Sequence, residues 1–349
     1  KVSGTCTVSG STLTPGDAGS TCVVSASKAS DSNYNSVDSS DTSVSTMKAA
    51  QATVVVTSTS ATFGQSLSLT ATGGSGSGSV SWSKVSGTCT VSGSTLTPGD
   101  AGSTCVVSAS KASDSNYNSV DSSDTSVSTM KAAQATVVVT STSATFGQSL
   151  SLTATGGSGS GSVSWSKVSG TCTVSGSTLT PGDAGSACVV KATKATDTNY
   201  LEASSSNTSI SVAKTTQSAL TVTSTIATYG QSLTLTATGG SGLGGIDWEV
   251  VSGTCTVSGS TLTPGEAGST CIVKATRVTD TNFLEASSVN TTVTIGRAAQ
   301  SSLTVTSINV TYGDTLTLTA SGGNGTGPVS WSKVSGTCTV SGSTLTPGD

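Results

Sequence analysis

The chain has 349 residues and a formal charge of −4, with 9% charged residues, 3% aromatic residues and no histidine. That composition excludes a nucleic-acid binder, which needs a basic stripe with interleaved aromatics, and removes the Ser-His-Asp and Cys-His catalytic arrangements. No apolar run approaches the roughly 18 residues that span a bilayer, so no membrane span is expected in this segment.

The first element is KVSGTCTVSGSTLTPGDAGSTCVV, which returns at Lys84, and whose first seventeen residues close the chain from Lys333. The period is 83 residues: residues 1–83 and 84–166 are identical, while the third and fourth copies diverge, with Lys191 and Lys274 replacing Ser108. A unit of that length is too long for a solenoid turn and suits a small autonomous domain. Joints are expected at the segments 130–139, 213–222 and 296–305, where a basic residue is followed by small ones. This places whole domains at 51–133, 134–216 and 217–299, a C-terminal part-repeat at 1–50 and an N-terminal part-repeat at 300–349. The chain reads as an excerpt of a longer array. Without Gly/Ser or Pro tracts at the joints, neighbouring repeats are expected to be closely coupled.

Within 51–133, Gln65–Thr72 alternates Leu67, Leu69 and Ala71 with Ser and Thr, the period of a half-buried strand. The Gly73–Gly76 turn follows, then a strand that carries Val80 and Trp82 on one face. Cys89 and Val91 share a face, as do Cys105, Val107 and Ala109, and a last run centres on Val127. Ser92-Gly93, Pro98-Gly99-Asp100 and Asp114-Ser115-Asn116 supply turns between them. No stretch shows helical periodicity. About seven short strands per repeat predict an all-β chain, a tandem array of antiparallel β-sandwiches.

ATFGQSLSLTATGGSGSGSVSWS followed by SGTCTVSGSTLTPGDAGSTCVVSASKASDSNYNS resembles the bacterial immunoglobulin-like tandem repeats of large cell-surface and adhesin-type proteins. The resemblance covers every complete copy. It implies Ig-like domains used in tandem on a bacterial cell surface, in fibres or adhesins. The pattern departs from antibody domains, whose cysteines flank the Trp.

Nine cysteines form four pairs sixteen positions apart, Cys6/Cys22, Cys89/Cys105, Cys172/Cys188 and Cys255/Cys271, plus Cys338, whose partner would lie beyond residue 349. Zinc wants four ligands in close pairs or with histidine, and a redox pair favours C-x-x-C. A structural disulfide within each repeat fits better and indicates an extracellular setting; a bond between repeats or chains is the competing arrangement. Trp82, Trp165, Trp248 and Trp331 alternate in phase with apolar neighbours, and with Tyr34, Tyr117, Tyr200 and Phe283 they are expected to be core or corner residues. The hydroxyl of the latter set is lost at Phe283, so no shared role depends on it. Asp114, Asn116 and Asn118 resemble the start of a calcium loop, but the D-x-[DN]-x-[DN]-G-x₅-E pattern is not met, and an Asx-turn fits better.

No metal, cofactor or catalytic set is called for. The reading is a non-enzymatic structural array, an extended extracellular fibre or adhesin stalk whose partners are its own neighbouring repeats. Two alternatives stand beside it: repeats that bind a surface glycan or a host protein, and copies that assemble laterally or by strand exchange into a filament.

Overall fold

The computed structural model describes residues 1–349, which contain strands and turns but no helix. Two compact units are present, Lys1–Gly182 with Ser186–Val212, and Asp183–Gly185 with Ala213–Asp349.

The repeat at 51–133 has ten strands: β1 Val54–Val56, β2 Ser60–Thr62, β3 Leu67–Ser68, β4 Ala71–Gly73, β5 Val80–Gly87, β6 Thr90–Ser92, β7 Thr95–Thr97, β8 Thr104–Lys111, β9 Val120–Asp121 and β10 Thr125–Met130. The same ten recur one period later in 134–216 and two periods later in 217–299. One layer is a five-stranded sheet, β5-β8-β10-β2 with β9 beside β8; the other is formed by β3-β7-β6 and β4-β1. Every pairing in the repeat is antiparallel except β2 with β10, where Ser60 faces Ser128 and Thr62 faces Met130 in parallel. The chain leaves β1 in the small layer and crosses to the large one, arriving beside β10 in the same direction. The two-layer sandwich is thus antiparallel apart from this one edge.

The expected single strand over Gln65–Thr72 divides in two. Leu67 and Ser68 pair with Leu96 and Thr95 of β7, whereas Ala71 pairs with Val56 of β1. At the change of partner, the Ser58 Oγ accepts the amide of Thr70 at 2.9 Å, satisfying a donor that neither sheet reaches. Leu69 turns inward there and is buried.

Alternation along β8 (Cys105, Val107, Ala109 inward) and the single inward Leu96 of β7 and Val127 of β10 build the core against Val54 and Val56 of β1. Residues 137–210 and 220–295 form equivalent clusters. Each core is small and aliphatic, as expected of a repeat with few aromatics.

Two cysteines belong to each core. Cys6–Cys22, Cys89–Cys105, Cys172–Cys188 and Cys255–Cys271 are disulfide-bonded, with Cα–Cα distances of 5.6 to 5.9 Å, inside the range a disulfide requires. Opposite Cys105 in the sheet register stands Gly87 at φ +99°. A Cβ there would lie 2.1 Å from the Thr104 carbonyl oxygen, so glycine is needed where the two backbones close on each other. Cys338 is a free, half-buried thiol.

The tryptophans occupy the margin of the core. Trp82 lies opposite Ala109, but β5 is an edge strand with a neighbour on one side only, so the indole stays half-buried. Trp165 and Trp248 flank their clusters in the same way.

Candidate functional site at the repeat joint

The recurring polar constellation of this chain lies where one repeat hands over to the next, and it starts from an aspartate. Asp114 sits in the loop before β9. Its Oδ1 accepts the amides of Asn116 and Tyr117 at 2.9 Å, closing an Asx-turn, and its Oδ2 accepts the amide of Ser77 from the Gly-rich turn opposite. The Ser77 N–H, then those of Asn116 and Tyr117, hold the carboxyl at about 2, well below its ordinary value. Asp197 and Asp280 are lowered too. For Asp197, desolvation opposes the shift and is outweighed by the amides of Tyr200, Ser160 and Asn199; for Asp280 the Leu243 amide leads. A carboxylate saturated with amide donors is a loop organiser, and no group of three metal-ligating side chains is assembled anywhere in the chain.

The loop so organised reaches into the preceding repeat. Asn199 Oδ1 accepts the amide of Ala101 at 2.8 Å while its Nδ2 donates to Asp100 Oδ1 at 3.0 Å. Asn116 grips Ala18 and Asp17 identically, at 2.9 and 3.0 Å. Within the second unit Asn282 holds Ala184 and Asp183 at 2.8 and 3.0 Å. The Pro-Gly-Asp-Ala-Gly turn, read from sequence as a connection inside one repeat, is therefore also the docking surface for an asparagine 98 positions further on.

The connecting segment is tied to the same loop by its backbone. Ala132 N donates to Asn199 O and Leu201 N to Ala132 O, both at 2.9 Å, a parallel bridge that extends the last strand of one repeat into the next. Ala49 with Tyr117 and Thr215 with Phe283 repeat the bridge. Gln134 Nε2 donates to the carbonyls of Ala195 and Leu201 at 3.1 and 2.8 Å, and its Oε1 accepts the Gly159 amide. Gln51 does the same with Ala112, Asn118 and Gly76. Lys131 Nζ donates to the Thr196 hydroxyl at 2.9 Å and to the Asp197 carbonyl, and Lys214 does so to Thr279 and Asp280. Lys131 and Lys214 thus anchor across their joints, whereas Gln51 and Gln134 tie the start of a repeat to its own loops, and Gln51 is buried to 9% exposure.

Aromatic rings complete the contact. Phe63 and Tyr200 meet edge to face with centroids 5.5 Å apart and planes at 81°, a favourable quadrupole geometry. Tyr117, Tyr200 and Phe283 are half-buried joint residues, whereas Tyr34 is 76% exposed. The expectation of a core or corner place for all four is corrected at Tyr34, since Tyr117, Tyr200 and Phe283 lie beside bridges to the preceding repeat and Tyr34 stands exposed. Sequence reasoning found the Asx-turn and missed its reach. The available signal was the asparagine itself, kept at 116, 199 and 282 while Asn118 two residues later changed to Leu201 and Leu284.

No family model and no curated protein matches the sequence. Among solved structures the chain is similar to Drosophila N-cadherin EC1-4, at 12% identity over 80% of this chain and 83% of that one, with a TM-score of 0.28. It is also similar to the N-terminal eight Ig domains of Down Syndrome Cell Adhesion Molecule, at 16% identity over 94% and 54%, TM-score 0.23. A third likeness is to the S-layer protein rSbsC, at 16% identity over 78% and 46%, TM-score 0.23.

Proposed function

We propose that this chain is a non-enzymatic structural array, a stretch of an extracellular stalk or fibre on a bacterial surface, with Ig-like domains at 51–133, 134–216 and 217–299 and part-repeats at 1–50 and 300–349. The observation that carries the reading is the joint. The same asparagine clasp and backbone bridge recur at three successive joints, so the most repeated polar chemistry in the molecule is spent on holding one repeat to the next. A carrier of catalytic or ligand-binding chemistry concentrates its unusual groups in one place; here they are distributed with the repeat.

Mechanically, each domain adds length, the clasps restrict bending, and the disulfides limit how far a domain unravels under load or proteolysis. Strands of about seven residues rise roughly 23 Å, so a domain measures about 35–40 Å with its turns and the whole chain on the order of 150 Å. Small-angle scattering on the full chain tests this. An elongated particle near that length supports the stalk; a compact particle removes it.

A further inference from the structure

We propose that the disulfide of a repeat positions the turn on which the following repeat docks, so that Cys89–Cys105 in 51–133 governs the joint to 134–216. The bond encloses residues 90–104, and the Pro-Gly-Asp-Ala-Gly turn at 98–102 lies inside that loop. Both supports of the turn abut the cysteines. On one side Gly99 rests on Thr88, the neighbour of Cys89: a Cβ at Gly99 would lie 2.5 Å from the Thr88 hydroxyl oxygen and 2.6 Å from its carbonyl oxygen. On the other, Ser103, two residues before Cys105, donates its N–H to the Asp100 carbonyl at 3.1 Å. The disulfide joins the two supports, and both of its cysteines are buried.

The turn presents a matched pair, the Ala101 N–H and the Asp100 carboxylate, which the two ends of one Asn199 carboxamide take at 2.8 and 3.0 Å. One carboxamide reaches both only while the turn keeps their spacing, because hydrogen bonds weaken steeply off distance and angle. Asn199 is held a second time by its backbone carbonyl, which accepts the Ala132 amide. That connecting segment runs on from β10, and β10 is tied to the same turn: Thr129 N donates to Ser103 O at 2.9 Å and Gly102 N to Thr129 O at 2.8 Å. The turn and the connecting segment thus converge on one residue from a common base. A staple at that base lowers the cost of ordering the turn for docking.

Residues 1–50 separate the staple from the sheet behind it. There the central strand covers only Thr21–Val24, while Cys6–Cys22, the approach of Gly16 to Thr5 and the bond from Ser20 N to Asp17 O are all kept. Asn116 grips Ala18 and Asp17 with the same geometry as Asn199 grips Ala101 and Asp100. The clasp therefore follows the disulfide loop and not the length of the strand that carries its second cysteine.

A double-mutant cycle on the full chain, read by amide hydrogen exchange at Leu201 and Val190, tests the proposal. The disulfide is removed as Cys89→Ser with Cys105→Ser in one series, and as Cys89→Ala with Cys105→Val, which keeps the buried site apolar, in another. Exchange is followed at a temperature where the far-ultraviolet circular dichroism matches that of the unmodified chain. Loss of the disulfide should speed exchange at Leu201 severalfold, although Leu201 lies in the next repeat, and leave Val190 unmoved. Adding Asn199→Ala to the disulfide-free chain should give exchange at Leu201 no faster than Asn199→Ala alone, because both changes act through one clasp. An unmoved Leu201 in the folded, disulfide-free chain, or effects that add, overturns the proposal. Either result leaves the stalk reading to scattering, which decides it separately.

Discussion

Residues 1–50 and 84–133 have the same sequence and different structures. In 84–133 the central strand runs unbroken over Thr104–Lys111 and the last over Thr125–Met130; in 1–50 they shrink to Thr21–Val24 and Thr42–Ser45. Two features survive unchanged. The disulfide keeps Cys6 and Cys22 buried, and Asp31 still closes its Asx-turn on Asn33 and Tyr34 at 2.8 and 3.0 Å. What separates the two regions is residues 51–83, whose strands β1, β3 and β4 supply the small layer over 84–133. Local chemistry makes the turn, the staple and the hairpin; the length and burial of the strands belong to the opposite layer.

The sharpest way to break this comparison is to make the same substitution in both regions. Leu96→Ala removes a fully buried side chain and should destabilise its repeat by about 3 kcal/mol, through lost transfer energy and a residual cavity. Leu13→Ala, at the half-buried equivalent, should cost under about 1 kcal/mol. Urea unfolding followed by far-ultraviolet circular dichroism reads both; equal shifts would mean that the small layer adds nothing. Replacing Cys89 and Cys105 together by serine should destabilise the 51–133 repeat by roughly 3 kcal/mol, the chain-entropy value for a loop of about 15 residues. Calorimetry should then show one transition split off below the others.

Asn199→Ala acts on the joint instead of the core. It removes the bonds to Ala101 and Asp100 and should cost about 1 kcal/mol of coupling between the repeats at 51–133 and 134–216, leaving the urea midpoint of each repeat nearly unchanged. The smallest effect is acid sensitivity. Because the Asp114 carboxyl is held near 2 in the folded chain against 3.8 ordinarily, its contribution is present above about pH 4 and is lost as pH falls through 2. Asp114→Asn should flatten the urea-midpoint profile of that repeat in this window; an unaltered profile would show that the Ser77, Asn116 and Tyr117 amides do not favour the ionised form.

Much of this architecture was legible beforehand. The period came from Cys6, Cys89, Cys172, Cys255 and Cys338, and the sandwich from the alternation at Cys105, Val107 and Ala109, because a two-residue period reports burial on one face directly. The parts that escaped are non-local. Nothing near Gln65–Thr72 announces that Leu67 and Ala71 answer to different sheets. Nothing near Tyr34 states that the half-buried ring of Tyr200 packs on Phe63 of the repeat before it. The joint was visible as a place and not as a mechanism, since Asn199 and Ala101 are separated by 98 positions and their bond leaves no local pattern.

The central claim is that the clasp couples the repeats at 51–133 and 134–216, and amide hydrogen exchange at Leu201 tests it most directly. Leu201 lies in a stretch that occurs once in the chain, and its N–H is donated across the joint to Ala132. Protection at Leu201 close to that of the strand amide of Val190 in the unmodified chain, falling at least tenfold in Asn199→Ala while Val190 is unmoved, is the predicted result. Exchange at Leu201 at the rate of an unstructured loop in the unmodified chain would contradict it.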